Sequence, residues 1–305
     1  MSQTLQSLTD KLVIIVNQAS GSVARLTADL AALFKPHRLE PVILAARNGN
    51  ELAGHVQRAA DEHARAVVAA GGDGTINTFA QALTGSSVPL GVIPSGTFNY
   101  VAKNWGIPEQ ADNAAALIAE QHVVAVDAPT VNGRVFLNNA SIGLYASAIQ
   151  RREQQQARFG RHRWVAFVAA LYAVMRPGRL LDIEVETDGS TRRFRTHILF
   201  VGNNARQLED YNLKGAGCLA RGQLVFYVAK PHTRRGLLML ALRLVFGRTT
   251  QADELESLCA SRVKISARRR RSIRVALDGE LVRMSLPLHF SVRRKALNML
   301  LPRRE

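Results

Sequence analysis

The sequence predicts an α/β domain with a mostly parallel sheet, followed by an antiparallel β domain of sandwich or barrel-like form. In residues 1–126, short β-branched runs alternate with helix-compatible segments, the pattern of a sheet covered on both faces. From Asp127 onward the apolar runs shorten and glycines separate them. Several then alternate polar and apolar residues, as half-exposed strands do. At 305 residues the chain is long enough for two cores. The expected division is 1–126, 127–290, and a tail at 291–305 that packs back on the first domain.

Each element of the first part has a local reason. Lys11–Val16 is a β-branched strand, and Asn17-Gln18-Ala19-Ser20-Gly21 is its exit turn. From Ser22 to Phe34, Leu26, Leu30 and Leu33 share one helical face before Pro36 stops the helix. Pro41–Ala45 reads as a strand and Asn50–Glu62 as a helix. Val67–Ala70 is an uncharged strand that ends at Gly71-Gly72-Asp73-Gly74. Thr75–Leu83 then restarts as a helix with Ile76, Phe79, Ala80 and Leu83 inward. Val88–Ile93 is a strand ended by Pro94-Ser95-Gly96-Thr97. A helix from Thr97 or Phe98 to Asn104, another over Gln110–Glu120, and a strand His122–Val126 complete this part.

In the second part the expected strands are Val135–Ala140, Leu181–Thr187, Phe194–Gly202, Gln223–Ala229, Arg262–Ala267, Ser272–Leu277 and Leu281–Leu286. Leu277-Asp278-Gly279-Glu280-Leu281 is a hairpin turn. Two apolar stretches interrupt the strands, Trp164–Met175 and Gly236–Phe246, each flanked by arginines. They are buried core helices, or a greasy wall that meets an alkyl chain or the membrane interface. Both fall short of the roughly eighteen residues that a membrane span needs.

Charge is divided unevenly. Residues 1–125 hold 8 of the 40 Lys+Arg and 10 of the 24 Asp+Glu, a net −2, which leaves 32 and 14, a net +18, for the rest. A basic second part favours an anionic membrane surface, with Arg268–Arg271 adding to it. Nucleic acid is disfavoured, because no recognition motif is present and aromatics make up only 6% of the chain. Cys218 and Cys259 give no metal knuckle and no disulfide framework, so a reducing setting is expected. The amino terminus carries no signal-peptide pattern, and the expected location is cytoplasmic or peripheral on a membrane.

The chemistry concentrates in three loops that follow strands, at 17–21, 71–75 and 94–99. Parallel sheets bind ligands beyond the carboxyl ends of their strands, so these loops are expected to line one crevice. Glycine lets backbone amides approach an anion, and the helix after Gly72 points its first N–H groups at the turn. The dinucleotide fingerprint and the GxxxxGK[ST] loop are both absent, so phosphate is held by amides and hydroxyls rather than by a loop lysine. Phe98 and Trp105 are expected to pack in the core, and His122, His197 and His289 to pack or lie on the surface.

Four motifs in order, GGDGTIN at 71–77, Ser95–Tyr100, Asn139–Tyr145 and Asp278-Gly279-Glu280, closely resemble the lipid kinases related to diacylglycerol kinase and sphingosine kinase. The resemblance covers nearly the whole chain and implies a NAD kinase-like α/β nucleotide-binding domain, a β-sandwich domain and a cleft between them. It further implies transfer of the γ-phosphoryl of ATP, with Mg2+, to the hydroxyl of a diacylglycerol-like or sphingoid-like membrane lipid. By this resemblance Asn17, Ser20 and Gly21 form a nucleotide turn, with Gln18 in place of the family's proline. Gly71, Gly72, Gly74 and Thr75 form the phosphate loop, joined by Ser95, Gly96, Thr97 and Asn99. Glu280 matches the proposed general base, and Asp73 acts through metal or water; no metal ligand set is assigned. Tyr100 and Tyr145 stand where many members have Asp.

Two rival readings share these residues. A kinase for a soluble metabolite, NAD included, has the same GGDG loop but no use for the greasy stretches. A non-enzymatic, nucleotide-responsive lipid-binding protein accommodates Tyr100 and Tyr145 and predicts ATP binding without phosphoryl transfer.

Overall fold

A computed structural model describes residues 7–17, 29–143, 180–187, 189–210, 213–230, 255–268 and 270–303. The chain divides into two units, Met1–Ala128 with Arg293–Glu305, and Pro129–Val292.

In the first unit, β1 (Leu12–Asn17), β2 (Val42–Ala46), β3 (Ala66–Gly71) and β4 (Leu90–Pro94) pair in parallel in the order β2-β1-β3-β4. β3 and β4 are buried along their whole length, which is why they read as uncharged runs rather than alternating ones. The helices are α1 (Gly49–Asp61), α2 (Asp73–Leu83), α3 (Tyr100–Trp105) and α4 (Ala111–Ala119). Asn48 starts α1 by accepting the Glu51 N–H at 3.0 Å. Ile76, Phe79, Ala80 and Leu83 form the buried face of α2, as their spacing predicts. Leu12, Ile14, Val16, Val68, Ala70, Ile93 and Ile118 pack into one core.

β5 (Val123–Val131) leaves this unit. The second unit adds β6 (Arg134–Val135), β7 (Asn139–Gly143), β8 (Leu181–Thr187), β9 (Ser190–Thr196) and β10 (Ile198–Gly202). Next come α5 (Ala205–Asp210), α6 (Ala216–Ala220), β11 (Leu224–Ala229), β12 (Leu255–Ala260), β13 (Arg262–Ala267), β14 (Ser272–Leu277) and β15 (Glu280–Ser285). β16 (Leu288–Leu300) returns the chain to the first unit, where Met299 pairs with Leu90. One antiparallel sheet runs β12-β11-β10-β7-β14-β15. Opposite it, the first half of β16 pairs with β13, followed by β8 and β9. Ile183, Val185, Val263, Ile265 and Phe290 meet Ile142, Val201, Phe226 and Val275 in a shared core, the packing of a β-sandwich.

Several expectations are corrected. Pro36 lies inside a 3-10 turn, Ala32–His37, which ends at Arg38 in the left-handed region; residues 18–28 are outside the described residues. The expected strand Phe194–Gly202 is two strands, broken where the Thr196 hydroxyl accepts the Ile198 N–H and donates toward Ala229 O. The run Val135–Ala140 also divides, because the amides of Leu137 to Asn139 turn to a carboxylate instead of a neighbouring strand. β12, the first half of β16 and helices α5 and α6 went unread. Cys218 on α6 and Cys259 on β12 form a disulfide, where no disulfide framework and a reducing setting were expected. Val225 pairs with Cys259 in the ladder, which brings the second cysteine to the face that α6 covers. Both apolar stretches, Trp164–Met175 and Gly236–Phe246, lie outside the described residues. Among the described residues, no helix is long and apolar enough to cross a membrane.

Candidate functional site

Register places three strand ends at one edge of the parallel sheet. Val16 is abreast of Ala70, and Ala70 of Ile93, so Asn17, Gly71 and Pro94 finish together. Ser20 and Gly21 lie outside the described residues.

At that edge the GGDG loop and the Ser95–Asn99 loop touch through their backbones. A Cβ on Gly72 would stand 3.2 Å from the Gly96 Cα, and one on Gly96 would stand 2.7 Å from the Gly72 Cα. Real Cβ atoms do not tolerate the second distance, so glycine is required for this approach. Ser95 N–H donates to Gly71 O at 3.0 Å, which extends the β3–β4 ladder into the loops. Thr75 packs its side chain over Gly71, where a Cβ would lie 2.7 Å from the Thr75 Cβ. α2 begins at Gly72 with no side-chain cap, so its first amides point toward the loop edge, and Gly74 is exposed there.

Asp73 ties the two loops together. Its carboxylate accepts the Val101 N–H at 2.8 Å and the Tyr100 N–H at 3.1 Å, which starts α3. An ionised carboxylate offers about four lone-pair sites, so two stay open after these bonds. Asn99 sits at φ 49° and folds its buried side chain inward. Its Oδ1 accepts the Gly96 N–H at 2.9 Å, and its Nδ2 donates to Glu109 at 2.9 Å. That bond, then Lys103 nearby, holds the Glu109 carboxyl below the ordinary glutamate range. Asn77, one turn past Asp73 on α2, has a buried Oδ1 that takes no hydrogen bond. Contrary to expectation, Phe98 does not pack in the core: the residue is 47% exposed. Trp105 is half-buried.

In the second unit Glu280 opens β15 and is exposed. The turn before it places Asp278 at φ 47° and Gly279 at φ 94°. Asp278 is pinned, since its carboxylate accepts the N–H groups of Leu137, Asn138 and Asn139 at 2.7, 2.8 and 2.9 Å. A buried amide network continues from there. Asn139 donates to Gln207 at 2.8 Å, Asn204 to Asn138 at 2.7 Å, and Asn203 to Leu137 O at 2.8 Å. Sequence reading missed Glu109, Asn138, Asn203, Asn204 and Gln207. The available signal was the two Asn-Asn pairs at 138–139 and 203–204, polar breaks at the ends of apolar runs. Tyr145 lies outside the described residues, as does Arg269 within the Arg268–Arg271 cluster.

Among the described residues no group of three or more His, Cys, Asp or Glu gathers as a metal site. Tyr227 supports α6 from below, its hydroxyl donating to Lys214 O at 2.7 Å, and burial pushes its pKa up.

Comparison with known proteins bears on both units. The diacylglycerol kinase catalytic domain matches residues 11–131, and the YegS C-terminal NAD kinase beta sandwich-like domain matches residues 138–301. A diacylglycerol kinase of Mycobacterium tuberculosis is 27% identical over 308 residues, 96% of each chain. A probable lipid kinase YegS-like protein of Cronobacter sakazakii is 32% identical over 164 residues, 52% of this chain and 53% of that one. The aligned region thus spans about half of the Cronobacter protein and nearly all of the mycobacterial one. A crystal structure of a diacylglycerol kinase from Bacillus anthracis superposes with a TM-score of 0.66 at 20% identity, covering 97% of this chain and 98% of that chain, and so shares the fold. With a catalytic-domain model over its first part and the YegS-type sandwich model over more than half its length, the chain belongs to the bacterial diacylglycerol kinase-like family of lipid kinases.

Proposed function

We propose that the protein transfers the γ-phosphoryl group of ATP, with Mg2+, to the hydroxyl of a diacylglycerol-like or sphingoid-like lipid. The observation that carries this reading is the backbone contact of Gly72 with Gly96 at the carboxyl edge of the parallel sheet. It brings the GGDG and Ser95–Asn99 backbones together beside the uncapped amides at the start of α2, which supports a backbone cradle for phosphate. The orphaned Asn77 Oδ1 nearby adds a polar atom in want of a partner.

The chemistry asked of these residues is limited. An alcohol has a pKa far above 7, so its oxygen attacks phosphorus only as its proton leaves, and Glu280 takes that proton. The alcohol oxygen bonds to the γ-phosphorus, the bond to the bridging β-oxygen breaks, and ADP departs. Amides of Gly72, Gly74 and Thr75, with the hydroxyls of Thr75, Ser95 and Thr97, offset charge on the moving phosphoryl. Asn17, at the end of β1, borders the nucleotide. Magnesium needs only one or two protein carboxylates when phosphates complete its shell, and the open lone pairs of Asp73 fit that need, directly or through water. The basic second part, net +18 over residues 126–305, would hold the protein on an anionic membrane as a peripheral enzyme.

Labelled ATP offered against a panel of lipid extracts tests activity and substrate class together. Glu280→Gln should lower turnover by about 10²- to 10⁴-fold while ATP binding and the unfolding midpoint hold. Wild-type turnover in that variant would remove Glu280 as the base. Activity on NAD but on no lipid would favour the soluble-metabolite reading, and ATP binding without transfer the carrier reading.

A further inference from the structure

Phe98 has no role in the phosphate cradle, and it is not in the core. A single exposed apolar side chain needs no explanation on its own. This one is set apart by its surroundings. Its ring lies parallel to that of Tyr100, with centroids 5.7 Å apart and planes 7° from coplanar. The left-handed turn at Asn99 brings the two rings to one side of the loop.

The backbone of this pair is held at several points. Lys103 Nζ donates to Phe98 O at 2.8 Å, Asn99 is locked to Gly96 and Glu109, and Tyr100 N–H is taken by Asp73. A flat, pre-set apolar step therefore stands two residues from Gly96, on the same loop as the phosphate hydroxyls. Flat aromatic surface that is already ordered contacts a ligand with little further loss of freedom.

We infer that Phe98, backed by Tyr100, seats the apolar flank of the acceptor alcohol beside its reacting hydroxyl and so helps set which alcohols are phosphorylated. This rests on the lipid-kinase reading above.

Reach decides between the acceptor and the nucleotide base. Two residues of chain span at most about 7 Å, so the ring root stays close to whatever Gly96 touches. A purine stands behind a ribose and three phosphates. The acceptor hydroxyl, by contrast, must come within about 3.5 Å of the phosphorus, and the first carbons beside it lie within a ring's width of the cradle. In a glycerol-type alcohol the neighbouring carbon carries an acyl ester, and in a sphingoid base an ammonium and then a hydroxyl. The aromatic face therefore meets the C–H edges of that segment before the alkyl chain begins.

The test is steady-state kinetics of Phe98→Ala and Phe98→Leu on a diacylglycerol and a sphingoid base, each dispersed in nonionic detergent micelles. Binding of a fluorescent ATP analogue is measured in parallel. Phe98→Ala should raise the KM for lipid about tenfold, with Phe98→Leu recovering most of the loss and the ATP-analogue affinity unchanged. Because Phe98 is 47% exposed, its removal costs little beyond the stacking on Tyr100, and the unfolding midpoint should fall only slightly. A lipid KM indistinguishable from wild type would overturn the inference alone. A parallel fall in ATP-analogue affinity would do the same and assign the ring to the base. Wild-type protein that phosphorylates no lipid would instead overturn the lipid-kinase reading, and the inference with it.

Discussion

At the scale of single residues, the four letters GGDG hide four different jobs. Gly71 makes room for the Thr75 side chain, and Gly72 meets Gly96 backbone to backbone. Asp73 starts a helix in another segment, and Gly74 has open space where its Cβ would be. The glycines therefore differ in what alanine would do. Gly96→Ala places a Cβ 2.7 Å from the Gly72 Cα and 2.8 Å from Asn99 Oδ1, so the loops must part. Denaturant unfolding should show it destabilised by about 1–3 kcal/mol, with weaker ATP binding. Gly74→Ala sits in helical backbone with nothing to strike, and should be as stable as wild type or better by up to about 1 kcal/mol. Equal stability of the two variants would mean the loops do not approach as described.

At the scale of elements, the informative one is the β14–β15 hairpin. A turn with Asp278 and Gly279 both at positive φ is read easily from Asp-Gly between alternating strands. What holds it is not legible there, because the three donors lie about 140 residues earlier in the chain. Asp278→Ala would leave the N–H groups of Leu137, Asn138 and Asn139 without their acceptor. Thermal unfolding should register a loss of about 2–4 kcal/mol, and turnover should fall as Glu280 loses its support, while the ATP affinity of the other unit is retained. Asp278→Asn keeps one acceptor oxygen and should lie between. An unchanged midpoint in Asp278→Ala would show that the carboxylate holds nothing. Phe98 makes the same point from the other side. An apolar residue in a loop reads as core by composition, yet the Asn99 turn beside it presents the ring outward.

At the scale of the whole molecule, the disulfide between Cys218 and Cys259 joins segments that the local sequence does not link. Two cysteines separated by 41 residues carry no signal of contact, and only the pairing of β11 with β12 brings them together. In the chain-entropy account a closed loop of that length stabilises by about 4 kcal/mol. A Cys218→Ser, Cys259→Ser double variant, or wild type unfolded in excess dithiol, should show that loss as a lower denaturant midpoint. Identical midpoints with and without reductant would show that the bridge does not form in solution. α6, which the bridge ties to β12, packs beside Tyr227 and shares a small cluster with Leu208 of α5. α5 in turn supplies Gln207 to the network that reaches Asp278. The bridge therefore braces the unit that carries Glu280.

The sequence alone determined most of the strands and the buried face of α2, but not β12, the first half of β16, α5 or α6. Burial leaves its mark in consecutive residues: β8, β13 and β14 have the limits read from their short, glycine-separated runs, and α2 buries the face its spacing names. The sequence also singled out the glycine loops after β3 and β4, where the proposed phosphate chemistry is placed. The tertiary structure decided how those loops meet, what holds Asp278, which cysteines join and which way Phe98 faces. Each of these depends on groups far apart along the chain, or on one backbone dihedral, and neither leaves a trace in local hydrophobic pattern.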